Sequence, residues 1–179
     1  MKKTIRKIFF EWDFDKEEAW LNEMSAKGLQ LSGVGFCKYI FDEGKEGEYI
    51  YRLEMLEKRL KHPKSAEYIR HVEASDAEKV GSIFGWVYFR KKAGAEFDLF
   101  PDVDSHIAHI QRVLWLIGIV AGINLMNAVN QIHFLFSSKE LFHFVICFLC
   151  LAVGVFCGYG FISLYLKKRK LEKVKKLHK

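Results

Sequence analysis

The residues best suited to chemistry lie on one stripe near the C-terminal end. His143, Cys147 and Cys150 fall at i, i+4 and i+7, one face of a helix, and Cys157 continues it. Imidazole and thiolate together are ligands for zinc or copper, so the stripe is a candidate metal or redox site. Cysteine is also a small apolar residue suited to packed helices, and one helix supplies too few ligands for a closed site. Neither a metal nor a cofactor is therefore expected. A second group is acidic: Glu11, Asp13, Asp15, Glu17 and Glu18. Helix capping and the helix dipole explain Asp15, Glu17 and Glu18 without a bound cation. His106 and His109, one turn apart, are of the type that titrates near neutral pH. There is no P-loop, dinucleotide fingerprint, nucleophile elbow or His-Glu-x-x-His, so no catalytic residue is assigned and a non-enzymatic role is expected.

The elements that carry these residues are set by charge. No charged side chain occurs from Val113 to Ser138, nor from Leu141 to Leu166; only Lys139 and Glu140 interrupt. Each stretch exceeds the roughly 20 apolar residues that span a hydrocarbon core of about 30 Å. Residues 1–107 carry a net charge of −2 and residues 167–179 a net +7, so the basic character belongs to the tail. A near-neutral domain lacks the electrostatic footprint of a nucleic-acid binder, and no direct nucleic-acid contact is expected. Arg112 and the tail flank the apolar stretches, whereas their connection has only Lys139 balanced by Glu140. The excess of Lys/Arg on the cytosolic side then places both termini in the cytosol, in a cell-membrane protein with two spans. Lys167, Lys168, Arg169 and Lys170 begin a juxtamembrane cluster suited to an anionic leaflet. Gly118 and Gly122, and Gly154 and Gly158, have the spacing of close helix packing, within the hairpin or between copies in a homo-oligomer. One cysteine, Cys37, lies outside the apolar stretches, which is no disulfide framework.

Residues 1–104 read as a cytosolic α+β domain. Thr4–Trp12 has strand character. Asp15 is placed as an N-cap with Glu18 as its capping-box partner, and the helix runs to about Lys27 before Gly28. Leu29–Phe41 reads as one strand kinked at Gly33 and Gly35. Strict alternation marks 49–55 as a strand. Ser65 is placed as the cap of a second helix with Tyr68, Ile69 and Val72 on one side, and 79–84 and 86–91 as two strands around Gly85. The order β-α-β-β-α-β-β predicts a ferredoxin-like plan, an antiparallel sheet with both helices on one face. Pairs such as Glu23/Glu73, Ser25/Ser75, Gly35/Gly85 and Gly44/Gly94 suggest a faint repeat at an offset of 50. A linker over 105–112, spans over 113–134 and 141–166 forming a transmembrane hairpin, and a cytosolic tail over 167–179 complete the expected organisation.

Several spaced motifs carry a resemblance. They are Trp20-Leu21-Asn22-Glu23-Met24-Ser25-Ala26-Lys27-Gly28, then Phe36, Tyr39 and Phe41, then Gly47-Glu48-Tyr49-Ile50-Tyr51-Arg52, and Trp86-Val87-Tyr88-Phe89-Arg90-Lys91. Over about residues 10–104 the chain resembles DUF2812, a family of domains of unknown function found mainly in Gram-positive bacteria, whose members typically place the domain before membrane helices. The family often has Gly-Trp after the first helix, where this chain has Gly28-Leu29. It has a second Gly-Trp after the second helix, where this chain reads Asp76-Ala77-Glu78. The resemblance implies regulation and, as a partner, a cytosolic regulator of the phenolic-acid decarboxylase repressor type. It defines no catalytic residues. The residues themselves favour a membrane-anchored interaction or sensory protein that binds a protein or small effector. The alternative is an enzyme or ligand handler at the membrane surface, with polar groups converging near Asp102, Asp104, His106 and His109.

Overall fold

The computed structural model describes residues 2–94, 97–99, 103–138 and 141–177. The chain divides into two compact units, Met1–Asp102 and Val103–Lys179.

The first unit is α+β. Its order is β1 (Lys2–Arg6), a single 3-10 turn (Glu11–Asp13), α1 (Phe14–Ala26), β2 (Leu29–Gly35), β3 (Lys38–Glu43), β4 (Tyr49–Met55), α2 (Pro63–Glu73), β5 (Ala77–Ile83) and β6 (Trp86–Lys92). The strands form two antiparallel sheets of three, β1-β3-β2 and β4-β6-β5, in place of one ferredoxin-like sheet. The difference arises in the segment read as one strand, Leu29–Phe41. It is a hairpin whose two-residue loop, Phe36-Cys37, contains neither glycine nor proline, the usual marks of a tight turn. The unit is thus two successive β-α-β-β modules, each with its third strand in the middle of its sheet.

The modules correspond at an offset of 48. Gly28 and Asp76, each just before the second strand of its module, both take left-handed backbone, at φ 74° and 62°. A bulge precedes Gly33 in β2 and Gly81 in β5. The hairpin loops are Phe36-Cys37 and Phe84-Gly85. The matches at an offset of 50 paired residues that occupy different places, Gly35 being in a strand and Gly85 in a loop. The two sheets meet along β2 and β5. There Gly81 is required, because a β-carbon would lie 2.8 Å from Cγ2 of Val34, a short branched side chain with little room to turn away.

Helix α1 is built to hold the outer edge of β4. Glu18, Asn22 and Ser25 fall at i, i+4 and i+7 and share one face. Glu18 Oε2 accepts from the Leu53 amide at 3.1 Å. Asn22 Oδ1 accepts from the Tyr51 amide at 2.8 Å, and its Nδ2 donates to the Tyr51 carbonyl at 3.2 Å. Ser25 Oγ donates to the Tyr49 carbonyl at 2.6 Å. A helix thus supplies in side chains what a further strand would supply in backbone, and closes an edge that would otherwise invite pairing. Glu18 also pairs with Arg52 at 3.2 Å. Asp15 and Glu18 therefore do not form the expected capping box. The N-cap position is Asp13, without a capping bond, and Asp13 pairs with Lys16. In α2 the N-cap is His62, whose Nδ1 accepts from the Lys64 amide, with Pro63 in the first turn. Ser65 instead donates from inside the helix to the Lys58 carbonyl. Leu56, Ile69, Val72, Val87 and Phe89 form the core beneath α2.

The second unit is two helices, α3 (Val103–Ser138) and α4 (Leu141–Leu177), packed on each other. The segment 105–112, expected as a linker, is the start of α3. At 36 and 37 residues each helix is about 54 Å long at 1.5 Å per residue. Both are long and apolar enough to cross a membrane. They run antiparallel, as the seam contacts show: Gln131 with His143, Ala128 with Cys147, Leu125 with Gly154, Gly118 with Phe161, Gln111 with Lys168.

Candidate functional site

Among the sequence candidates, the His/Cys stripe is the helix seam. His143, Cys147, Cys150, Gly154 and Cys157 alternate in steps of four and three, the spacing that keeps a helix facing a neighbour. His143 Nδ1 lies 2.7 Å from Gln131 Oε1, and Cys147 Sγ donates to the Ala128 carbonyl at 3.7 Å. Among the described residues no three His, Cys, Asp or Glu side chains converge as metal ligands. Of the glycines, Gly118 meets the Phe161 ring and Gly154 meets Leu125, whereas a β-carbon at Gly122 or Gly158 would face open space. At the open end of the hairpin Lys175 pairs with Asp104, and Lys168 pairs with Glu172 at 3.5 Å. Arg169 stacks over Tyr165 with 5.5 Å to the ring centroid, and Lys170 is exposed. His109 is buried and His106 half-buried, while Asp102, Lys139 and Glu140 lie outside the described residues.

The first unit holds a cleft in which two of the candidate acids, Glu11 and Glu17, take a part that helix capping does not describe. The segment after β1, the start of α1 and the two hairpin loops enclose a cleft of about 140 Å³. Glu17 stands in it, only 8% exposed, and its Oε1 accepts from the hydroxyls of Tyr39 (β3) and Tyr88 (β6), each at 2.6 Å. One carboxylate oxygen therefore ties both modules to α1. Burial pushes the Glu17 carboxyl above the usual carboxylate range. The two tyrosine bonds work against that shift, and the nearby Glu11 adds to it. Burial and the same carboxylate push both tyrosine hydroxyls far above their ordinary range. Glu11 accepts from the Trp86 indole nitrogen.

The walls are aromatic. Phe14 lies against Trp86 with ring centroids 5.5 Å apart, and Phe9 lies against Trp20 at the same distance. Trp20 meets Tyr39 edge-on at 4.9 Å. Lys7 places its ammonium 4.7 Å from the Trp20 ring centroid and 4.9 Å from that of Phe9. At the mouth stand the equivalent loop residues Phe36 and Phe84, 78% and 72% exposed, with ring centroids 6.1 Å apart. Two-residue hairpin loops favour Asn, Asp and Gly, because the backbone enters the left-handed region. Here Phe84 has φ 50° and Cys37 has φ 51°. Both modules expose a phenylalanine at this loop, and in the second it is held in left-handed backbone, which is neither a turn preference nor a core role. Strained positions of this kind gather at recognition sites.

The acids were visible in the sequence, but capping explained Glu17 fully until β3 and β6 were known to deliver Tyr39 and Tyr88 to it. A local signal existed in the phenylalanines that begin both loops, yet without a turn residue the first loop was unreadable.

Comparison with known proteins adds the family. No curated protein matches the chain, and no solved structure matches it. The family model described as protein of unknown function (DUF2812) matches residues 13–123, which takes in all of α1, both sheets from β2 onward, the cleft's tyrosines and the first part of α3. The chain belongs to the DUF2812 family.

Proposed function

We propose that this protein is a membrane-anchored, non-enzymatic recognition module. Unit Met1–Asp102 binds a partner or effector through the cleft at its paired hairpin loops, and α3 and α4 hold it at the bilayer with both termini cytosolic. The observation that carries this reading is the exposed Phe36–Phe84 pair over a cleft floored by Glu17. Exposed aromatics beside a pocket with a few placed polar groups are the ordinary make-up of a binding site. Lys167, Lys168, Arg169 and Lys170 follow the apolar part of α4 and suit the anionic leaflet, which supports the assigned orientation. A regulator of the phenolic-acid decarboxylase repressor type is the partner that the family resemblance favours, and pairing of whole hairpins into a homo-oligomer is compatible with this role.

The test is a photo-crosslinking amino acid at position 84 in the full chain, in native membranes. A discrete crosslinked partner is expected, lost when Phe36 is also changed to Ser while near-UV circular dichroism is unchanged. Crosslinks to lipid or to nothing contradict the reading.

A further inference from the structure

The contents of the cleft point to the chemistry of its ligand, taking as given that the cleft is the recognition site. Its formally charged side chains are two carboxylates, Glu11 and Glu17, and one ammonium, Lys7. With both acids ionised the cleft carries one unmatched negative charge. Both hydrogen bonds of Glu17 fall on Oε1, and among the described residues Oε2 receives none. Oε2 is therefore left free on the cavity side of an otherwise buried side chain, where a donor or a cation can reach it.

The aromatic walls supply the second half of the recognition. An ammonium is attracted to a ring face within about 6 Å of its centroid. The protein already uses this interaction beside the cleft, where the Lys7 ammonium sits over Trp20 and Phe9 at 4.7 and 4.9 Å. Trp86, held by its indole N–H on Glu11, and the exposed Phe84 present further aromatic surface to the same cavity. Aromatic faces joined to a desolvated carboxylate favour a cation that is weakly hydrated, as alkylated ammonium ions are, over sodium or potassium.

We propose that the cleft binds a small organic ammonium ion, seated against the aromatic walls with its charge toward Glu17 and Glu11. Anions are disfavoured there by the two acids, and a neutral apolar ligand leaves Glu17 without a partner for Oε2.

The test titrates the detergent-solubilised full chain with choline, and in parallel with 3,3-dimethylbutanol, its uncharged carbon isostere, reading tryptophan fluorescence and calorimetry. Choline is expected to bind saturably and at least tenfold more tightly than the isostere, and Glu17→Gln is expected to reduce that ratio toward one. Equal binding of both compounds overturns the proposal and leaves an apolar cleft. Absence of saturable binding by choline and by methylammonium also overturns it. If the residue-84 crosslink still captures a partner in that case, the recognition reading stands and only the ligand chemistry fails. If the crosslink is blank too, both fail.

Discussion

Asn22→Leu is expected to destabilise the first unit by about 1–3 kcal/mol, because it leaves the buried amide of Tyr51 unsatisfied against an apolar side chain, while the Tyr51 carbonyl keeps its bond from Arg52. Tyr51 is completely buried, so water cannot replace the lost partner without opening the edge of β4. Ser25→Ala removes a hydroxyl that donates to the Tyr49 carbonyl and accepts from its amide, but Tyr49 is only half-buried and water can take its place, so the expected cost is less, about 1 kcal/mol. Urea titration followed by near-UV circular dichroism of the aromatic core measures both. Equal stability of Asn22→Leu and the parent would mean that α1 does not hold the β4 edge.

The second large effect lies at Glu17. Glu17→Ala strips the acceptor from two buried tyrosine hydroxyls and is expected to cost about 2–4 kcal/mol. Glu17→Gln behaves differently, since an amide oxygen still accepts from Tyr39 and Tyr88 but cannot ionise. The sign of its pH dependence follows from linkage. Burial raises the folded-state affinity of Glu17 for its proton above the ordinary value near 4.5. Its contribution to stability is therefore fully present below pH 4.5 and is lost as the pH rises through the folded-state value. The groups that face it are Tyr39, Tyr88 and Glu11, with Lys7 and Cys37 also in the cleft, and neither tyrosine ionises in that window. Glu17→Gln should accordingly gain stability relative to the parent as the pH rises from 4.5 and converge with it at lower pH. Glu18, shifted upward mainly by burial and restrained by Arg52, titrates with the same sign in both proteins and drops out of the difference. Parallel curves for the two proteins would mean that Glu17 is solvated rather than held in the cleft.

These effects rest on features of unequal visibility in the sequence. The apolar helices were plain, because 26 residues without a charge in each leave few other readings. Their internal seam was partly plain. The His143-to-Cys157 stripe was recognised as one face, and its partner on α3 came only with the antiparallel register. In the first unit the helices and the β4 strand were readable from periodicity, whereas β2 and β3 merged because Phe36-Cys37 breaks the chemistry of tight turns. That same departure is what marks the cleft, so the residue that concealed the hairpin is one of those that signal the site. Local rules failing at a functional position is the expected pattern. The repeat was sensed two residues out of step, since identities at an offset of 50 carry less meaning than the shared backbone of Gly28 and Asp76 and the shared bulges at Gly33 and Gly81. Asn22 and Ser25 stood in the most recognisable motif of the chain, yet their task depends on a strand some 25 residues further on and has no local signature.

The most direct measurement uses Cys37, a native thiol that lines the cleft and is half-buried. In a Cys147→Ala/Cys150→Ala/Cys157→Ala background, a membrane-impermeant maleimide is applied to carbonate-washed membranes, as inside-out and as right-side-out vesicles. The expected result is retention in the carbonate pellet, labelling of Cys37 in inside-out vesicles only, and slower labelling once the crosslinked partner or choline occupies the cleft. Labelling from the outer face, release by carbonate, or a rate that no occupant changes would contradict a membrane-anchored recognition module with its cleft in the cytosol.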